Sequence, residues 1–140
     1  MSDSVEFPFR MFRFRTLGLQ PRPLIEVRVR GPAGEMPGWF VLDSGSDVSL
    51  IPLSMGSQLG LSPGAAPRWE CRGVGKGRVA YYLCPVELQI GGFRLSARVG
   101  WSTIEKTPFI LGRLDVFDKF DIEFRQASNR IILRRATPSA

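Results

Sequence analysis

At 140 residues, with 44% apolar and 23% charged content, the chain has room for one domain with its own core and not for two. The absence of histidine excludes Ser-His-Asp and Cys-His machinery, and two cysteines without histidine cannot build a usual zinc site. Any catalysis therefore falls to carboxylates, Lys, Tyr, hydroxyls or an imported cofactor, and neither metal nor cofactor is expected. The net charge of +6 is carried mostly by Arg; with no nucleic-acid motif beside it, this reads as a solvated basic surface rather than a nucleic-acid partner.

In chain order, MSDSVEFPFRMFRFR has no uninterrupted apolar core of the kind a secretory signal needs, and no run approaches the ~20 apolar residues that span a bilayer. A cytoplasmic location with reduced Cys71 and Cys84 is the default expectation. Phe7, Phe9, Met11, then Phe12 and Phe14, alternate with Arg and Pro in two registers, predicting a bulged or edge strand. Residues 1–20 are read as an N-terminal extension, either an extra strand or an interface arm, ahead of a domain over 21–136 and a loose 137–140.

Leu24–Arg30 alternates as a half-buried strand, closed by Gly31-Pro32-Ala33-Gly34, with Gly38–Leu42 as its hairpin partner. Asp43-Ser44-Gly45-Ser46 turns the chain, Ser49–Pro52 returns as a strand, and Ser54–Gly60 is compatible with a helical turn capped by Ser54. Trp69–Val74 and Arg78–Cys84 flank Gly75-Lys76-Gly77 as a hairpin with a glycine-rich tip. Pro85–Ile90 and Phe93–Val99 surround the Gly91-Gly92 turn. Pro108–Leu111 is a short apolar strand ending at Gly112, and Arg113–Phe120 has helical spacing. Phe120–Phe124 and Arg130–Arg134 close the sheet around Ala127-Ser128-Asn129. Many short strands punctuated by glycine predict an all-β barrel or sandwich.

Two segments, Val41-Leu42-Asp43-Ser44-Gly45-Ser46 and Phe109-Ile110-Leu111-Gly112-Arg113, in this order, resemble the retroviral-type (retropepsin-like) aspartic proteases. The resemblance covers Pro23 to Arg134. It implies a closed acid-protease barrel of short strands, with a flap hairpin and one short α-helix near 113–120. It also implies an aspartic endopeptidase whose catalytic residue is Asp43, supported by Ser44, Gly45, Ser46, Asp47, Gly112 and Arg113. The flap would be formed by Gly73, Val74, Gly75, Lys76 and Gly77. In the family the acid at the Asp47 position pairs with the Arg at the Arg113 position, and the Ser44 position hydrogen-bonds across the two halves.

Hydrolysing an amide without metal or nucleophile calls for two carboxylates in contact that share one proton. This sequence carries a single Asp-Ser-Gly, so the chemistry requires a homodimer acting on a peptide or protein substrate. The alternative is a protease-like dimerisation or peptide-binding module without catalysis. The longer N-terminus and the final hairpin depart from the viral pattern and leave open which strands build the interface.

Overall fold

The computed structural model describes residues 3–72 and 77–136. Twelve strands dominate: β1 (Ser4–Phe7), β2 (Arg10–Phe14), β3 (Gly18–Arg22), β4 (Leu24–Gly31), β5 (Gly34–Leu42), β6 (Ser49–Ile51), β7 (Arg68–Arg72), β8 (Arg78–Ile90), β9 (Phe93–Ser102), β10 (Ile110–Leu111), β11 (Phe120–Arg125) and β12 (Arg130–Arg135). The one α-helix among the described residues, α1, spans Leu53–Gln58.

The order β4-β5-β10-β6-β9-β8, with β8 pairing back onto β4, closes six strands into a barrel. β7 extends it beside β8, β1-β12-β11 form a separate sheet, and β2-β3 a free-standing hairpin. Closure follows from the pattern of β4. Ile25, Val27 and Val29 are fully buried while Glu26, Arg28 and Arg30 face out. A one-residue slip would invert the two sets, and burying each such aliphatic contributes about 1.5–3 kcal/mol. Phe40, Leu42, Ile51, Leu88, Ile90, Val99, Leu111 and Leu133 complete the interior.

Three expectations are corrected. Arg78–Cys84 and Pro85–Ile90 are one strand, β8, which runs through Pro85. Pro85 faces Arg98, whose N–H is committed to Asp115, so this is a pair without mutual hydrogen bonds. On its other edge β8 pairs with β7 up to Tyr82 and with β4 from Glu87. The missing N–H therefore falls where no ladder asks for it.

The short α-helix expected near 113–120 is instead a widened, irregular turn over Arg113–Phe117. Leu114 is extended (ψ 124°) and Asp115 left-handed (φ 63°), so the chain reverses there without a regular helix. Nor does Ser54 cap α1: Pro52 holds the cap position without a side-chain bond. Ser54 is instead gripped from 51 residues away, its N–H donating to Glu105 Oε2 at 2.8 Å and its hydroxyl to Oε1 at 2.5 Å.

The N-terminal segment holds more than the one bulged or edge strand expected of it: β1 is an edge strand, and a hairpin follows. β1 adds to the terminal sheet through β12. β2 and β3 form the hairpin, which was not anticipated because Gly18–Arg22 has no simple alternation. The expected loose 137–140 lies outside the described residues.

Candidate active site

Asp43 stands at the end of β5, where three inputs hold the backbone. The Val41 N–H donates to Phe109 O (3.0 Å), that of Leu42 to Pro23 O (2.9 Å) and that of Asp43 to Leu111 O (3.0 Å). β10 lies parallel to β5, Ile110 beside Val41 and Leu111 beside Leu42. It is antiparallel to β6, Ile110 beside Leu50. The chain thus leaves β5 at Asp43, loops around the end of β10, and returns as β6.

Inside that loop the Ser46 N–H donates to Asp43 O (3.1 Å) and the Gly45 N–H to Asp43 Oδ1 (2.9 Å). The second bond is an Asx-type turn that orients the carboxylate. Gly45 is not in a left-handed conformation. Its lack of a side chain matters for space instead, since a Cβ would sit 3.2 Å from Asp43 Oδ1. Asp43 is half-buried, and Ser44 and Gly45 are exposed.

The second motif locks this loop from beneath. Gly112 is extended, and its glycine is demanded by packing. A Cβ would lie 2.3 Å from Val48 O and 2.8 Å from Ser46 O. The Gly112 N–H donates to the buried Ser49 Oγ (3.0 Å), the Arg113 N–H to Ser46 O and the Leu114 N–H to Asp47 O, both 2.9 Å. The Arg113 side chain bridges the loop, with Nη1 on Ser44 O (2.9 Å) and Nη2 on Asp47 Oδ1.

The structure therefore brings Asp43, Ser44, Gly45, Ser46, Asp47, Gly112 and Arg113 into one cluster. Both members of the Arg113–Asp47 pair are exposed, so its effect is to orient the loop rather than to stabilise the fold. Gly73, Val74, Gly75 and Lys76, the expected flap tip, lie outside the described residues. Gly77 is described; it lines a cavity with Val79 and Tyr81 of β8.

Sequence reasoning passed over three contributors. Ser49 was hidden in a short apolar strand, although a hydroxyl buried among Val48, Leu50 and Ile51 signals a required partner. Asp115 receives the Arg98 N–H (3.0 Å), Nε (2.8 Å) and Nη2 (3.1 Å), tying the turn after Arg113 to β9. The Arg98 guanidinium beside it holds the Asp115 carboxyl below its usual range; burial opposes this, and the Arg98 backbone N–H adds to it. Glu105 was the third.

A retropepsin-like aspartic protease from Rickettsia conorii superposes with a TM-score of 0.60 at 12% identity, covering 94% of this chain and 92% of its own. The fold is retropepsin-like. The protease of EIAV, solved with the inhibitor HBY-793, aligns at 24% identity over 71% of this chain and 88% of its own, with a TM-score of 0.49. No protein-family profile matches the chain, and no curated protein matches its sequence. At 12% identity the likeness to the Rickettsia structure is one of architecture, and the chemistry has to be argued from the residues.

Proposed function

We propose that this chain is half of an aspartic endopeptidase, completed when a second copy brings its own Asp43 against the first. The observation that carries the proposal is the orientation of Asp43. An exposed Asx turn aims its carboxylate; Gly112 packs closely against that loop, and Arg113 holds it through backbone and side-chain bonds.

In the dimer the two carboxylates share one proton, because like charges in contact cannot both ionise. The ionised member removes a proton from water, and the resulting hydroxide equivalent attacks the scissile carbonyl. The protonated member gives its proton to the carbonyl oxygen. As the tetrahedral intermediate collapses, the carboxyl that took the water proton gives it to the nitrogen, and the other carboxylate takes a proton from the gem-diol. The C–N bond then breaks to an amine and a carboxylic acid. Ser44, exposed beside Asp43, is free to reach the partner's loop.

The β2–β3 hairpin is the surface we assign to the second copy. β3 feeds through Pro23 into β4, and Pro23 O bonds Leu42 N–H, so the hairpin flanks the Asp43 end of the barrel. Arg10 lies over the Trp39 ring at 4.1 Å and over Phe12 at 5.7 Å, and Arg22 over Phe14 at 5.9 Å, fixing one face. Met11, Leu17 and Leu19 are left more than half exposed.

Asp43→Asn tests the reading. The variant should keep the fold and lose peptidase activity by at least ~10³-fold, the order seen when an acid–base group is removed. Full activity in Asp43→Asn, or activity confined to a monomeric species, refutes it. Wild-type protein that dimerises yet cleaves nothing in a broad peptide library would favour the non-catalytic module.

A further inference from the structure

The cavity that Gly77 borders has a volume of about 680 Å³ and is also lined by Val79, Tyr81, Ile104, Lys106, Thr107 and Pro108. Its walls are apolar side chains from β8 and from the loop between β9 and β10. Among the described residues that line it there is no acid, and Lys106 is the one cation. Among the described residues the Lys106 ammonium has no hydrogen-bond or ion-pair partner, in contrast to Lys119, whose Nζ donates to Ser96 O at 2.6 Å.

The loop that presents this lysine is pinned on both sides. Before it, the Thr103 N–H and hydroxyl both donate to Ala80 O (3.1 Å each), and the Leu53 N–H donates to Ile104 O (3.1 Å). Glu105 adds its grip on Ser54. After it, the buried Thr107 hydroxyl pairs with Ser102 Oγ at 2.6 Å. The backbone beneath Lys106 is thus preorganised, and that lowers the ordering cost of an interaction.

We infer that this cavity binds an acidic side chain of the peptide substrate, with its methylenes against Val79, Tyr81, Ile104 and Pro108 and its carboxylate on Lys106. The inference rests on the peptidase reading above and adds a charge preference to it. From Pro108 the chain runs directly into the strand beside β5, whose Leu111 O bonds Asp43 N–H. At about 3.3 Å per extended residue the cavity is within roughly four substrate residues of the bond to be cut.

The test uses fluorogenic peptides in pairs that differ only by Glu or Gln at each position up to four residues from the cleaved bond, at low ionic strength. At one position, wild-type kcat/KM should favour Glu by about two- to fivefold, the range of a solvent-accessible ion pair. Lys106→Gln should bring the ratio to one, and Lys106→Glu should invert it. Cleavage of the Gln peptides should stay within about twofold throughout, which a merely structural role for Lys106 would not allow.

A wild-type ratio of one at every position, or a Glu preference surviving Lys106→Gln, overturns the inference. If the wild type cleaves none of the peptides, the peptidase reading fails by itself. The same pairs, labelled, are then measured by fluorescence anisotropy. A Glu preference in binding that disappears in Lys106→Gln sustains the site, and equal or absent binding overturns it.

Discussion

Gly112→Ala is the sharpest probe of how the Asp43 loop is held. Gly112 has φ −106° and ψ −169°, a conformation any residue adopts, so alanine pays nothing in backbone strain. The obstacle is space: the new Cβ would sit 2.3 Å from Val48 O, 2.5 Å from Val48 C and 2.8 Å from Ser46 O. All three are backbone atoms of the loop, so no side chain can rotate away, and relief requires moving the loop by about 1 Å. Overpacking of this kind costs typically 1–3 kcal/mol. The value should fall near the upper end, because the Ser46 and Asp47 carbonyls are also tied to the Arg113 and Leu114 N–H groups.

For a chain of this length about 3 kcal/mol lowers the melting temperature by roughly 10 °C. A 1 Å displacement of a catalytic group costs about 10²-fold in rate. Calorimetry and peptidase kinetics on the same preparation read both effects. Gly92→Ala is the control, since its Cβ meets nothing within 4 Å and should shift stability by less than ~1 kcal/mol. A Gly112→Ala protein melting within 2 °C of wild type would refute the packing argument.

Two further expectations concern the turn after Arg113 and the N-terminal hairpin. Asp115 is more acidic folded than unfolded, so its charge stabilises the fold above the ordinary carboxylate range near pH ~4, and that contribution fades as pH falls through the lower folded value. Asn tolerates the left-handed φ, so Asp115→Asn isolates the charge. Urea titrations should show it less stable by about 1–2 kcal/mol at pH 7, with the gap closing toward pH 2; a gap independent of pH contradicts the assignment. Met11→Asp combined with Leu19→Asp should leave the melting temperature of the monomeric species nearly unchanged, since both side chains are exposed in the single chain. It should weaken self-association at least tenfold by sedimentation velocity, and unaltered association would remove the hairpin from the interface.

What could be read in the sequence was what is local. The β4 alternation, the Gly31–Gly34 turn and the Gly91-Gly92 turn each lie within a few residues, and each stands where the pattern placed it. The Asp43 and Arg113 segments became a pair through their resemblance to a family, and the structure brings the same residues into contact. The remainder depends on partners distant in sequence. Glu105 reaches Ser54, and Ser49 reaches Gly112. Asp115 reaches Arg98, and Pro85 is tolerated only because β7 has ended and β4 has not begun. No periodicity encodes such meetings. The turn at Leu114 and Asp115 misled for a related reason: its apolar spacing mimics a helix, while its shape answers to β9.

The placement of β10 bears on when the site can exist at all. Its two residues pair parallel with β5, a contact that no tight hairpin can nucleate. The bonds from Gly112 and Arg113 to the Asp43 loop span up to 69 residues. A nascent chain carrying residues 1–109 has its acid but neither the strand that seats it nor the arginine that steadies it. Assembly of the two halves of the loop is therefore a late event, and a protein of the proposed activity would emerge from synthesis with its chemistry still disarmed.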